Sequence, residues 1–441
     1  MSNETTSARP AGAGRSPLLF IFLTVFIDLL GFGIVIPLMP TYSKWFGASG
    51  FTLALMQSTF SAMQFLFAPT WGRLSDRIGR RPVLIGGLIG TAASYVVFAN
   101  VTPIATLLAV SPLAVLFASR LMAGFCAANL SAASAYIADV TEEKDRAKGM
   151  GVIGAAFGLG FTFGPLLGVL SSRHTEGAAT LPSLPGYLAA GLSLAAAAFG
   201  YFKLPEPAVR RTGVRFFDTG ELKRALAQGR TGVLIVLNFL NLFAFSCFEA
   251  MFILFGLARF PEKFGLDGAI EKASLEQVIE AGRYAGKYMF AIGILSALVQ
   301  GGLIRRLVPR FGETKLIVAG PLILAVALAT VGLATTWWMV LLGCCLMPFG
   351  FGLSNPSVPG LLSRAAPADR QGSYLGMSQS AGSLARATAP ACAGLAFDHF
   401  SPGAPFLMAT GVLVTSVLLA NLYRTRYGAS FTAPPPPGVA A

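Results

Sequence analysis

Charge is scarce in this chain. Asp, Glu, Lys and Arg make up 12% of its 441 residues, about half the roughly 25% carried by soluble globular domains. That shortage excludes a chain whose surface is mostly solvated by water. Histidine is scarcer still: the two present, His174 and His399, are expected in loops, which excludes a histidine-built metal site within the apolar segments. The five cysteines, Cys126, Cys247, Cys344, Cys345 and Cys392, all fall in apolar runs, where a small packing residue fits better than a disulfide or a redox centre. No phosphate-binding glycine loop, metal-ligand cluster or activated nucleophile can be assembled from the sequence, so an enzyme is the least expected class, and no metal or cofactor is expected.

What fills the chain instead is apolar sequence, 54% of all residues, arranged in recurring runs of about 20 residues, each long enough to cross a hydrocarbon core about 30 Å thick. Lipid offers no backbone partners, so the runs must be helices. The first six spans are expected at 18–40, 51–71, 83–101, 112–138, 150–170 and 187–204. The second six are expected at 232–257, 288–304, 316–334, 337–362, 372–396 and 405–423. The fold class is therefore all-α, a polytopic membrane protein. Span 1 is of full spanning length, holds Asp28 and lacks a convincing small-residue cleavage site, so it is expected to remain as a helix rather than be removed as a signal peptide.

The net charge of +13 raises the question of nucleic acid, but the placement of the bases answers it. Of the 33 Lys and Arg residues, 24 lie in the termini and the even-numbered connections and 7 in the odd-numbered ones. By the positive-inside rule both termini are cytoplasmic. Five of those seven lie between spans 7 and 8 beside five acids, and a long segment of that kind weighs little in the rule. The basic stretch between the two sets of six spans, with Lys203, Arg210, Arg211, Arg215, Lys223, Arg224 and Arg230, reads as a cytoplasmic linker lying near the lipid surface. The expected organisation is a cytoplasmic tail at 1–17, a six-helix bundle at 18–204, a linker at 205–231, a second bundle at 232–423 and a cytoplasmic tail at 424–441 whose proline run is low-complexity extension. A monomer in the cell (inner) membrane is expected, with no nucleic-acid partner.

The two halves echo each other, as internal repeats in transporters do. GRLSDRIGRR after span 2 has a degraded counterpart, RRLVPRFGET, after span 8, and GVIGAAFGLGFTFGPLLG in span 5 aligns with GMSQSAGSLARATAPACA in span 11.

The first of these strings, Gly72-Arg73-Leu74-Ser75-Asp76-Arg77-Ile78-Gly79-Arg80-Arg81, places two expected turn glycines, one acid and four arginines in a short connection. An orientation signal alone would account for the charge but not for the glycine and aspartate spacing. The string resembles the signature loop of the major facilitator superfamily. FIDLLGFGIVIPLMP in span 1, with Asp28, Gly31, Pro37 and Pro40, resembles the first helix of that superfamily's twelve-helix drug:proton antiporters, tetracycline efflux pumps among them. Span 4 adds Arg120 and Gly124. Span 5 adds Gly151, Gly160, Gly164, Pro165 and Gly168, similar to the antiporter motif of that group, with Val169 where its last glycine usually stands. The resemblance covers nearly the whole chain and implies two pseudo-symmetric six-helix bundles rocking about a central site. It also implies a cytoplasmic gating latch built from Gly72, Asp76, Arg77, Gly79, Arg80 and Arg81, with Asp139 as ionic partner, which steadies the outward-facing state. Pro309 replaces the aspartate in the second copy, which argues against a matching second latch.

Independently of any family, Gly160, Gly164 and Gly168 recur every four residues and form a small-residue face on which another backbone can approach closely, while Pro165 can bend the helix. Plain packing and a sliding gate fit this face equally well.

Four charged residues remain at membrane depth, and each is a functional candidate because lipid does not tolerate it alone. Counting helical rise from the cytoplasmic face places Asp28 about 15 Å and Arg120 about 18 Å deep, with Glu249 about 25 Å and Arg386 about 21 Å. Asp28 can therefore meet Arg120, and Glu249 can meet Arg386. Structural ion pairs are the plain reading; a buried pair is weak evidence for stability, which favours function. Asn238, Asn241, Phe245 and Glu249 share one side of span 7, which is expected to line a cavity. Asn129 and Gln379 are weaker cavity candidates; for them, as for Gln57, Gln64 and Asn355, an interhelical hydrogen-bond role is the stronger expectation. Asp28 and Glu249 are the ordinary groups available for proton coupling.

The expected function is secondary active transport, a proton-coupled antiporter exporting a small organic solute or drug across a lipid bilayer. A passive facilitator or importer on the same fold is the first alternative, and a non-transporting membrane sensor or scaffold the second.

Overall fold

The computed structural model describes residues 17–140, 146–172, 182–207, 228–269, 272–299, 304–366 and 371–428. Among them the regular structure is helical throughout. Span 1 is α1 (Pro17–Val35) continued by α2 (Leu38–Trp45), the break falling at Pro37, which cannot donate to the helical ladder. Span 2 is α3 (Gly50–Ile78) and span 3 is α4 (Arg80–Ala99), followed by the short α5 (Val101–Leu108). Span 4 is α6 (Pro112–Ala127) and α7 (Leu130–Val140), span 5 is α8 (Arg146–Ser171) and span 6 is α9 (Leu184–Lys203). The second half holds α10 (Gly229–Arg259), α11 (Leu275–Leu298) with the short α12 (Ile304–Phe311), α13 (Glu313–Gly332), α14 (Trp337–Ala365), α15 (Gln371–His399) and α16 (Ala404–Tyr427), for spans 7 to 12.

Eleven spans fall close to the apolar runs. Span 8 does not: it begins at Leu275, well ahead of the expected 288, with a capping box in which Ser274 accepts from Gln277 N and the Gln277 side chain accepts from Ser274 N. Glu276, Glu280, Arg283 and Lys287 occupy its first turns and disguise it as a loop to any reading by hydropathy. His399 is the last residue of a helix rather than a loop residue, and α16 runs on into the expected C-terminal tail. His174, most of the expected linker and both chain ends lie outside the described residues.

Among the described residues, nine helices are long and apolar enough to cross a membrane. The three spans that miss this measure are 5, 8 and 11. The halves meet chiefly where span 2 packs on span 11 and span 5 on span 8. A helix facing another helix or a cavity needs less apolar surface than one facing lipid, so the weak hydropathy of these spans is explained by where they stand.

These cross-half contacts run from the end remote from GRLSDRIGRR, hereafter the far end, to about the middle of the spans. Gly394 of span 11 lies against Ala54 and the Phe51 backbone of span 2, and Ala391 N donates to Ser58 Oγ at 3.1 Å. Thr162 Oγ1 of span 5 donates to the Gly293 carbonyl of span 8 at 3.0 Å. Leu38 and Thr41 of α2 face Gly282 of span 8. The far end is closed in this conformation, and there an aromatic cluster of Phe255, Phe260, Phe264, Tyr288, Trp337 and Phe406 caps the second bundle.

Candidate functional site

The GRLSDRIGRR segment is hardly a loop. Gly72 to Ile78 complete span 2 as helix, and span 3 starts at Arg80. The reversal is made by Gly79 alone, with φ 110°, a backbone region open to glycine and costly for other residues. Gly72 is thus a buried helical position, not a turn. From this junction Arg80, 7% exposed, reaches Asp76 (2.5 Å) and Asp139 at the end of span 4 (2.9 Å), and its Nη1 donates to Ser75 Oγ at 2.6 Å. Arg77 is exposed, and Arg81 donates to the Tyr201 carbonyl with its guanidinium 5.1 Å from the Tyr201 ring. The network stays within the first half and is assembled while the far end is closed.

Glu206 was invisible to sequence reasoning. Its carboxylate accepts from the backbone N–H groups of Arg80 (2.6 Å) and Arg81 (2.9 Å), satisfying the first orphan donors of span 3 and opposing the positive end of its dipole. No spacing rule links it to Arg80, because the contact joins segments 126 residues apart.

The second half repeats the junction with the charges exchanged. Gly312 has φ 74°, and Glu313 directly after it pairs with Arg364 at the end of span 10, where the first half has Gly79, Arg80 and Asp139. The second half thus has an ionic contact at this junction despite Pro309, made by an acid at the start of the next helix.

Span 5 has two working faces. Its glycines pack on span 1: a Cβ on Gly164 would lie 2.5 Å from Gly33 Cα, one on Gly160 2.7 Å from Leu29 Cβ, and one on Gly168 2.9 Å from the Ile34 carbonyl. Gly151 lies in the same helix. The glycine face is thus an intra-half seam beside Asp28. The opposite face, with Thr162, Pro165 and Val169, meets span 8, where a Cβ on Gly286 would lie 2.4 Å from Val169 Cγ2 and 3.0 Å from the Pro165 carbonyl. The glycine absent at 169 reappears on the partner helix.

The charged residues at depth are arranged differently from the simple pairs. Asp28 accepts from Ser193 Oγ of span 6 at 2.8 Å. Arg120, 4% exposed, forms no ion pair with it; Tyr95 of span 3 intervenes, its ring against span 1 at Gly31 and 6.0 Å from the Arg120 guanidinium. Phe98 lies at 5.8 Å on the same guanidinium, whose Nε and Nη2 are buried without a hydrogen-bond partner. Arg386 and Glu249 lie close enough for their charges to interact, yet no ion pair joins them, and Arg386 Nη2 donates to Ser383 Oγ at 3.2 Å.

The polar stripe of span 7 divides. Asn238 donates to the Ser378 carbonyl (2.8 Å) and Asn241 accepts from Ser416 Oγ (2.8 Å), both buried. Phe245 stacks on Phe351 at 4.0 Å. In this conformation the two asparagines bind neighbouring helices. Asn129 does likewise: it stands at the break in span 4, donating to the Leu84 carbonyl at 3.2 Å, while Gln64 donates to the Ala127 carbonyl freed there, also at 3.2 Å. Gln379 and Asn355 are exposed.

Comparison with known proteins gives a consistent pattern. The family profile described as Major Facilitator Superfamily matches residues 21–390 and 287–439. The tetracycline resistance protein, class C, of Escherichia coli is 32% identical over 385 residues, covering 85% of this chain and 88% of that protein. Multidrug resistance protein 2 of Bacillus subtilis (strain 168) is 28% identical over 429 residues, covering 92% and 96%. Among solved structures, the human organic anion transporter MFSD10 (TETRAN) superimposes with a TM-score of 0.65 at 27% identity, covering 93% of this chain and all of that one.

Proposed function

Since the chain belongs to the major facilitator superfamily, we propose that this membrane transporter is a proton-coupled antiporter exporting a small organic solute by alternating access. The observation that carries the reading is Asp28, a carboxyl in the middle of span 1 held by a neutral hydroxyl, Ser193, with no cation upon it. A carboxyl in that setting can bind and release a proton without dismantling an ion pair, and its two charge states favour different surroundings. Span 1 packs through the glycine seam on span 5, and span 5 meets the other half at span 8. A change at Asp28 is thus one helix removed from the interface that must move. Glu249, facing Arg386, is the second candidate acid.

With the termini and the GRLSDRIGRR junction cytoplasmic, as the distribution of bases favours, a closed far end corresponds to an inward-facing state of a monomer in the cell membrane. Bundles at 18–204 and 232–423 joined by a linker at 205–231 then act as the rocking units. The decisive test is flux in proteoliposomes under an imposed pH gradient, screened over cationic, zwitterionic, neutral and anionic solutes. A passive facilitator would show flux indifferent to that gradient, and a sensor would show none.

One observation favours a narrower second reading, in which the solute is an organic anion. Two buried Arg120 nitrogens lack partners between the rings of Tyr95 and Phe98, a setting that suits a carboxylate on an aromatic body. The relative MFSD10 carries the name of an organic anion transporter. Preference for anions in the same screen would support it.

A further inference from the structure

At the far end an acidic side chain crosses from one half to the other. Span 2 begins at Gly50, and its first two backbone N–H groups, of Gly50 and Phe51, donate to Oδ1 and Oδ2 of Asp398 at 3.0 and 2.7 Å. Asp398 belongs to the last turn of span 11, in the opposite bundle. Span 2 carries its own cap as well, Ser49 Oγ accepting from Thr52 N at 3.0 Å. Ser49 therefore serves the third helical residue, and the carboxylate serves the first two. An anion at a helix N-terminus is favoured by the orphan donors and by the helix dipole together.

The fit is tight. A Cβ on Gly50 would stand 2.5 Å from Asp398 Oδ1 and 2.8 Å from Phe397 Cδ1, so only glycine lets the carboxylate reach the helix end. Gly394, one turn earlier on span 11, brings the two helices together beside it. The arrangement repeats at the other end of the molecule, where Glu206 caps span 3, but with one difference: Glu206 directly follows span 6, in the same half as span 3, and need not part from it as the halves rock, whereas Asp398 and span 2 must separate when the far end opens.

We propose that Asp398 is a state-selective latch, a carboxylate that caps span 2 across the two halves and holds the far end closed. It contributes only to the far-end-closed state, so its loss shifts the balance toward the state closed at the GRLSDRIGRR end. This inference rests on the alternating-access reading but not on protons or substrate identity.

Amide hydrogen exchange on the full-length protein tests it. In Asp398→Asn and Asp398→Ala, peptides covering the start of span 2 and the end of span 11 should exchange faster, by about fivefold for Ala as expected for a lost cap. Peptides at the junctions around Gly79 and Gly312 should at the same time become better protected. Asp398→Glu, which keeps the charge, should recover most of the original pattern. Faster exchange at the far end without added protection at the opposite end would mean a local cap with no choice between states, and unchanged exchange at both ends would remove the latch altogether. If the Asp398 variants fail to insert, Gly50→Ala breaks the same contact from the other side and should give the same reciprocal change; its absence would count equally against the latch. Loss of proton coupling with the reciprocal exchange intact would leave the latch standing and fault only the antiport reading.

Discussion

At the scale of the residue, Asp28 carries the most weight. Asp28→Asn keeps the size of the side chain and can still accept from Ser193, but it cannot bind and release a proton. Proton-driven transport is expected to fall by at least about a hundredfold, the lower end of the losses typical for a proton-transferring group, while folding and most solute binding persist. Because no ion pair joins Asp28 to Arg120, removing the charge does not strand a counter-ion at that position, and the melting temperature in detergent should drop little. A large drop there would mean that Asp28 is structural. Arg120→Lys tests the anion reading separately: the charge stays but the planar fork is lost, so binding of an aromatic carboxylate should weaken by about tenfold, in line with a lost charge-assisted hydrogen bond, while a neutral solute is unaffected. Equal loss for both solutes would point to disturbed packing around Tyr95 and Phe98.

At the scale of the element, helix seams and junctions offer two sharper tests. Gly286 on span 8 and Val169 on span 5 fit as hole and knob. Gly286→Val should block far-end closure and lower turnover, and adding Val169→Gly should restore it by exchanging the two. Failure of the double variant to recover would show that Gly286 serves some other need. At the GRLSDRIGRR junction, Arg80 holds Asp76 across the Gly79 reversal at the end of span 2 and Asp139 across to span 4, the two carboxylates 16% and 4% exposed. Breaking a buried pair leaves an uncompensated charge, so Asp139→Asn should cost about 2 kcal/mol or more in stability, against about 1 kcal/mol or less for the more exposed Asp76→Asn. Melting curves in one detergent decide between this order and its reverse. The junction was partly legible in advance: the spacing of glycine and aspartate marked it, and Arg80 does meet Asp139. What was hidden has physical causes. Helix runs through Gly72 because burial on its neighbours overrides the turn preference of glycine, and Glu206 reaches Arg80 from a distant segment that local spacing cannot announce. Span 8 was misplaced at its start because four charges in its first turns look like solvent-facing loop.

At the scale of the whole molecule, the apolar runs were enough to count and order the helices, because lipid leaves the backbone no alternative. They were not enough to say which spans face each other. That information sits in the three spans of weak hydropathy, and it becomes readable only once spans 5, 8 and 11 are seen at the seams between the halves. Similar depth suggested that Asp28 could meet Arg120, but depth along the membrane normal does not fix rotation about a helix axis, and the Tyr95 ring lies against span 1 beside the Arg120 guanidinium. The rocking account joins these scales: an acid in span 1, a glycine seam to span 5, a knob-and-hole contact to span 8, and a carboxylate latch at the far end. Its central claim is that solute moves in exchange for protons that pass through Asp28. The most direct measurement loads proteoliposomes with solute and a pH-sensitive dye, imposes a solute gradient with no initial pH difference, and follows proton movement through the wild-type protein and through folded Asp28→Asn. The account expects protons to move opposite to the solute through the wild type and not through the variant; solute flux through the wild type without proton movement, or proton movement that survives in Asp28→Asn, would contradict it.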